Sequence, residues 1–283
     1  MTSTDNVTRT DYERRSKADW DAKTDDPINL LLGSEDDLYH HHFAVGGYDR
    51  AVLSAPVDVR EDAILAEMHR MESDQVDLVL RALAPLPPGA QVMDAGSGRG
   101  GTSFMIGQRY DAHVTGINFC RHHLEFARSI AAKRGWDRRV RFRYANMADT
   151  GLPDHSMDAV VTNETTMYVD LDETLAEFTR VLRPGGKYVC VTWCANDAVG
   201  IGAEIEAIDR HYVCHIHRRS TYFAMMAKHR LVPSLVWDLT AEAIPYWELR
   251  SRSAHATGVE KPFLDAHRDN RLNYLVIAAE YVP

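Results

Sequence analysis

Val92-Met93-Asp94-Ala95-Gly96-Ser97-Gly98-Arg99-Gly100-Gly101 decides the fold of this chain. An apolar run ends in an acidic residue, opens into closely spaced glycines and passes into helix-like sequence. A βαβ unit builds the floor of a nucleotide-like cofactor site in this way. Glycine turns the backbone sharply and lets a ligand approach where a Cβ would stand in the way. A second apolar run, Asp158-Ala159-Val160-Val161-Thr162, delivers Asn163 and Glu164 to a strand end. The two together point to an enzyme that holds a cofactor beside an acid or base.

Outward from the loop, strands and helices alternate. Strands are predicted over 91–95, 113–118, 140–145, 157–163, 187–193, 231–239 and 272–281. Helices are predicted over 100–110, 121–134 and 171–182, and within 201–228. This alternation predicts an α/β three-layer sandwich with a mostly parallel seven-stranded sheet covered on both faces, its last strand pairing antiparallel at the edge. Residues 61–84 read as a helix through the stripe of Ile64, Leu65, Met68, Met71, Val76, Val79 and Leu80. Leu86-Pro87-Pro88-Gly89 ends it. Residues 1–26 are polar with mixed charge and read as partly disordered or as a loosely packed helix. The expected division is an N-terminal extension and helical lid over 1–84, then a cofactor-binding core over 85–283 with an acceptor-pocket helical insertion around 200–230.

With 283 residues, a formal net charge of -9 and no long basic run, the chain is not expected to bind nucleic acid. The N-terminus carries no charged-then-apolar leader and no run is long enough to span a bilayer, so neither stable membrane insertion nor secretion is expected. Cys120, Cys190, Cys194 and Cys214 lack paired zinc-ligand spacing and read as reduced core or pocket-wall residues, which fits a cytoplasmic location. A homo-oligomer is expected.

A dehydrogenase-type dinucleotide site carries an acidic residue at the end of the second strand. Here that strand ends Gly116-Ile117-Asn118-Phe119, where Asn118 offers a ribose hydroxyl a hydrogen bond but no carboxylate. The fuller pattern, D-x-G-x-G-x-G from Asp94 to Gly100 with the turn Leu182-Arg183-Pro184-Gly185-Gly186-Lys187 before a strand, resembles the class I S-adenosylmethionine-dependent methyltransferases. The resemblance implies a Rossmann-like methyltransferase core. Asp94, Gly96, Gly98 and Gly100 would then pass the amino-acid part and ribose of S-adenosylmethionine, with Asn118 and Phe119 beside them. Asn146 and Met147, in 144–149, would border the adenine, and Asn163 would orient Glu164 or the cofactor amine.

The flanks narrow the likeness. Leu38-Tyr39-His40-His41-His42-Phe43-Ala44-Val45-Gly46, Asn163-Glu164-Thr165-Thr166-Met167-Tyr168-Val169, and the tail from Trp247-Glu248-Leu249-Arg250 to Asn273-Tyr274-Leu275 resemble geranyl diphosphate 2-C-methyltransferase and its relatives. The likeness runs from about Asn29 to the end. It implies methyl transfer to an alkene carbon of a prenyl diphosphate, geranyl or farnesyl, with Mg²⁺ held mainly by diphosphate oxygens and water. Phe43 stands where tyrosine is expected in geranyl diphosphate enzymes, which leaves chain length and the methylated carbon open.

That chemistry makes demands on side chains. Attack of an alkene on a sulfonium methyl leaves a tertiary carbocation, and a base must then remove a proton. Glu164, at a strand end, is the expected base. Aromatic faces stabilise a cation without offering a nucleophile. Tyr39, Phe43 and Tyr222 are the expected catalytic aromatics, and Tyr168, Trp193, Tyr212 and Phe223 the expected acceptor wall. His40 and His41 are candidate contacts to phosphate or to metal-bound water, with Arg180, Arg218, Arg219 and Arg250 as further anion contacts. No three-ligand protein metal motif stands out. The alternatives are a methyltransferase acting on another small-molecule acceptor and a noncatalytic S-adenosylmethionine-binding protein.

Overall fold

The computed structural model describes residues 7–24 and 27–283. The chain enters through helices α1 (Asp11–Ala22), α2 (Pro27–Leu31) and the long α3 (Arg60–Leu83). The alternating core follows as β1 (Ala90–Ala95), α4 (Gly101–Arg109), β2 (Ala112–Asn118), α5 (Arg121–Lys133), β3 (Val140–Tyr144), β4 (Met157–Asn163), α6 (Leu171–Val181) and β5 (Leu182–Ala195). Helices α7 (Ala203–Tyr212) and α8 (Arg219–Lys228) lead to β6 (Leu231–Asp238). Helices α9 (Thr240–Arg250) and α10 (Glu260–Arg268) then lead to β7 (Leu272–Tyr281).

The seven strands form one sheet in the order β3-β2-β1-β4-β5-β7-β6. All neighbouring pairs from β3 to β5 are parallel, and β7 is antiparallel to both of its neighbours. The strand order reverses between β1 and β4, which opens a crevice at their carboxyl ends, where open α/β sheets bind ligands. The glycine loop and Glu164 both lie there.

One expectation about the sheet is corrected. The last strand is antiparallel, but it lies between β5 and β6, not at the edge. Residues 272–279 are buried throughout and apolar apart from Asn273, which suits a central strand covered on both faces. The edge strand on that side is β6, whose residues after Leu231 are exposed or half-buried.

Side chains alternate across the sheet into two apolar layers. Val92 and Val161 face one side with Phe104 and Leu124, while Met93 and Val160 face the other with Phe178 and Tyr188. Each fully buried aliphatic or aromatic side chain contributes about 1.5–3 kcal/mol.

Within the N-terminal segment, residues 11–22 form a helix, one of the two expectations, and it is tied to the core. Thr10 caps α1 by accepting from Glu13 N at 3.1 Å, and the Glu13 carboxylate returns to Arg9 N at 2.5 Å. This T-x-x-E signature satisfies donors that a helix start leaves unpaired. Tyr12 donates to the Met167 carbonyl, and Ser16 Oγ donates to the Val213 carbonyl at 2.9 Å, so α1 is tied across the crevice. The expected disorder at 1–6 and 25–26 lies outside the described residues.

Candidate active site

The glycine loop forms the floor of a cleft lined by Asp94, Gly96, Ser97, Gly98, Gly101, Asn118, Phe119, Met147 and Asn163. Its glycines are required by close neighbours. A Cβ on Gly96, where φ is +86°, would stand 2.4 Å from Thr165 Cγ2, and one on Gly101 would stand 2.5 Å from His40 Nδ1. Both the β4 turn and the histidine tract therefore seat directly on the loop. Gly100, expected to face the cofactor, instead caps α4 at φ +94°, with Phe142 against it, and Gly101 takes the cleft position. Asp94 is buried and accepts from Ser103 Oγ at 2.5 Å, and burial pushes its carboxyl up to about 6.

Asn146 is also displaced from its expected role. Its amide donates to Glu13 Oε2 at 2.8 Å and to the Val7 carbonyl at 3.1 Å, so it anchors the N-terminal segment, while its neighbours Ala145 and Met147 line the cleft. Within the cleft wall, Ser97 Oγ, His41 Nδ1 and His123 Nε2 are buried without a protein partner. Unpaired buried polar atoms around bare glycine backbone fit a polar ligand such as S-adenosylmethionine.

A second cavity of about 460 Å³ adjoins the cleft, within the range of small-molecule sites. Trp20, Phe43, Tyr168, Trp193 and Tyr212 line it, with Lys23, Asn29, His211 and Arg250 among its polar members. Phe43 packs against Trp247, Tyr212 and Phe263, with ring centroids 4.4, 5.8 and 5.2 Å away. Trp20, His41, His42, Glu164 and Tyr168 line both spaces.

Glu164 follows directly on β4 at φ +55°, a left-handed conformation costly for a side-chain-bearing residue and typical of functional positions. It is 6% exposed. Its Oε2 accepts from Phe43 N at 3.1 Å and Trp193 Nε1 at 3.0 Å, and its Oε1 accepts from the Tyr274 hydroxyl. Burial raises its carboxyl to about 7, against the opposing pull of those three donors. Behind it, Gln75 Nε2 donates to Tyr274 Oη at 3.0 Å and to Asn163 Oδ1 at 2.8 Å. The Asn163 amide in turn donates to Gln75 Oε1 at 3.0 Å and Thr102 Oγ1 at 3.2 Å. Asn163 therefore reaches Glu164 through Gln75 and Tyr274.

Several expected site residues lie elsewhere. Tyr222 is 1% exposed and lines neither space; its hydroxyl is within 2.7 Å of both Thr166 Oγ1 and Thr192 Oγ1, and its ring belongs to the apolar layer on the α6 and α8 side. Phe223 packs on that same layer. Their helix, α8, covers the face of the sheet opposite the cavity. Tyr39 lines the cleft and its ring meets Phe126 edge-on, away from the second cavity.

The histidines also differ from expectation. His40 Nε2 faces Ser73 Oγ at 3.3 Å and lines only the cleft, whereas His41 Nε2 faces Arg99 Nη1 at 3.0 Å and lines both spaces. Burial, with neighbouring His and Arg charges, drives both imidazoles well below their usual range, which disfavours positive charge on either. Of the expected arginines, Arg180 pairs with Glu177 and Asp154, Arg219 pairs with Asp238, and Arg250 reaches the cavity. Arg250 is buried, with Nε 3.2 Å from Glu260 Oε1, and its Cζ stands 5.8 Å from the Phe43 ring centroid.

Sequence reasoning missed Gln75, Tyr274 and Trp20. Gln75 and Glu72 sit on the buried stripe of α3, Gln75 four residues from both Met71 and Val79 and Glu72 four residues from Met68. A polar residue on such a stripe was the available signal. Among the described residues no group of three or more His, Cys, Asp or Glu side chains is placed to hold a metal, and no helix is long and apolar enough to cross a membrane.

Comparison with known proteins gives the same reading of the architecture. The family model described as "Methyltransferase domain" matches residues 93–190. A geranyl diphosphate 2-C-methyltransferase from Saccharopolyspora erythraea is 42% identical over 257 residues, covering 90% of each chain. The solved structure of a geranyl diphosphate methyltransferase in complex with GPP and sinefungin superposes with a TM-score of 0.93 at 42% identity, over 96% of this chain and 100% of that one. A geranyl diphosphate C-methyltransferase from Streptomyces coelicolor, in complex with Mg²⁺, geranyl-S-thiolodiphosphate and S-adenosyl-L-homocysteine, superposes with a TM-score of 0.93 at 38% identity, over 96% and 99% of the two chains. By this extent of identity and by its class I methyltransferase fold, the chain belongs to the geranyl diphosphate 2-C-methyltransferase family.

Proposed function

We propose that this enzyme transfers a methyl group from S-adenosylmethionine to an alkene carbon of a prenyl diphosphate of the geranyl class, and that Glu164 removes the proton that completes the reaction. The supporting observation is the position of Glu164. It is a buried, hydrogen-bonded carboxylate on the boundary between the glycine-loop cleft and the aromatic cavity.

S-adenosylmethionine, when bound, supplies the methyl group, and transfer leaves a tertiary carbocation on the acceptor. The remaining demands fall on this chain. Asp94 and the loop glycines hold the donor in the cleft. Phe43, Trp193, Tyr212 and Tyr168 surround the acceptor chain with π faces that stabilise the cation and exclude water. Arg250, Lys23 and Asn29 supply charge and hydrogen bonds for the diphosphate. Among the described residues no cluster of carboxylates is placed to cage a metal, so Mg²⁺ would be held mainly by the diphosphate oxygens and water and would help to neutralise that anion. Glu164, raised to about 7, is ionised above neutrality yet basic enough to accept a proton from the methylated carbon's side of the cation.

The test is Glu164→Gln. Affinity for S-adenosylhomocysteine should stay within about twofold, while the rate of methylated alkene formation falls by about 100-fold or more. Product formation at the parent rate would remove Glu164 from the base role.

A further inference from the structure

The oxygens of Glu164 are not equivalent. An ionised carboxylate offers about two acceptor positions on each oxygen. Oε2 has both filled, by Phe43 N and Trp193 Nε1. Oε1 has one filled, by the Tyr274 hydroxyl, and one open. A phenol rotor can normally turn its single hydrogen elsewhere. Here Gln75 prevents that, because its amide nitrogen donates into the Tyr274 oxygen at 3.0 Å and leaves the phenol hydrogen to point at the carboxylate. Gln75 is itself fixed, since its other amide contacts form a closed pair with Asn163. It is fully buried within α3, and this network uses both hydrogens of its amide nitrogen and one lone pair of its oxygen.

We infer that Gln75 is a positioning residue which, through Tyr274, fixes the single open lone pair of Glu164 Oε1 as the atom that takes the acceptor's proton. The inference rests on Glu164 being the base. In the step, the C–H bond beside the cationic carbon breaks, its electron pair restores the alkene, and the proton forms an O–H bond on Oε1. The carbocation has more than one neighbouring carbon that bears hydrogen, so the direction of that lone pair decides which alkene forms. Tyr274 from β7 and Glu72 from α3 act on the carboxylate, and the titratable groups that line the acceptor cavity with it are Lys23, His41, His42, Tyr168, His211, Tyr212 and Arg250. Of these, Tyr274 is hydrogen-bonded to it.

The experiment compares the parent enzyme with Gln75→Met, Tyr274→Phe and the double variant, reading kcat against pH and the alkene isomers in the dephosphorylated product. Loss of the oriented donor should lower kcat by about tenfold. It should also shift the acid limb of the kcat profile to higher pH and add positional alkene isomers. The double variant should resemble Tyr274→Phe alone. The inference is overturned by an unshifted limb with a single alkene product, or by additive losses in the double variant. If Gln75→Met does not fold, Tyr274→Phe carries the test with the same limb and isomer readouts. A parent enzyme that methylates no prenyl diphosphate contradicts the proposed function instead, and is a separate outcome from variants that leave limb and product unchanged.

Discussion

Trp20 stands edge-on to Tyr168 with ring centroids 5.7 Å apart, and both rings line the donor cleft and the acceptor cavity. Through this contact α1 closes the boundary at which methyl transfer is proposed. Trp20 also meets His41 and His123 edge-on, each at 5.9 Å. A carbocation survives there only if water is kept out. Trp20→Ala should therefore yield a methylated tertiary alcohol beside the alkene, detected by mass spectrometry of the dephosphorylated products. An unchanged single alkene at parental kcat would show that α1 is not the water seal.

Gly96 is expected to tolerate no side chain. Its φ is +86°, and a Cβ would stand 2.4 Å from Thr165 Cγ2, whose residue bonds back to the Ala95 carbonyl at 2.9 Å. Gly96→Ala should lower stability by about 1–3 kcal/mol and weaken S-adenosylhomocysteine binding, because the β4 turn that carries Glu164 must move. Thermal denaturation and calorimetric titration check both effects. Parental values for both would mean that the turn gives way freely.

Arg250 divides two functions. It is paired with Glu260 and reaches the acceptor cavity. Arg250→Lys keeps charge but loses the planar fork, so KM for the prenyl diphosphate should rise by about 10- to 100-fold. KM for S-adenosylmethionine should not change. Steady-state kinetics in each substrate separate the two, and an unchanged diphosphate KM would place the anion elsewhere.

Burial of Glu164 also links function to stability. Its carboxyl rises from 4.5 to about 7 on folding, so the folded state favours the protonated form. That contribution is complete below pH 4.5 and is lost as pH rises through about 7. Relative to the parent, Glu164→Gln should gain stability between these limits by an amount on the order of 3 kcal/mol, at about 1.4 kcal/mol per pH unit. Denaturant melts at pH 5 and pH 8 measure the change, and a pH-independent difference would contradict it.

The parts of the fold built from local pattern were legible in the sequence. Asp94 to Gly101 fixed the crevice, and the run from Asp158 to Asn163 placed Glu164 at its lip, because strand period and glycine spacing are local properties. The sheet position of β7 was not legible, since insertion between β5 and β6 depends on what else is buried. Tyr222 misled because an aromatic in a helix near the site reads the same on either face of the sheet. The histidine tract looked cationic for a related reason. The charge preference of His40 and His41 is set by their surroundings: burial, with His42 and His69 beside His40 and with His123 and Arg99 beside His41, pushes both imidazoles toward the neutral form. Gln75 was hidden because its partners, Asn163 and Tyr274, are far away in sequence.

Incubation of the wild-type enzyme with methyl-labelled S-adenosylmethionine, Mg²⁺ and geranyl diphosphate, followed by NMR of the dephosphorylated product, tests the proposed reaction most directly. The expected result is one labelled methyl on an alkene carbon, with the number of double bonds unchanged and no turnover of free geraniol. Label on oxygen, nitrogen or sulfur of another acceptor, with none transferred to any member of a prenyl diphosphate series, would contradict it.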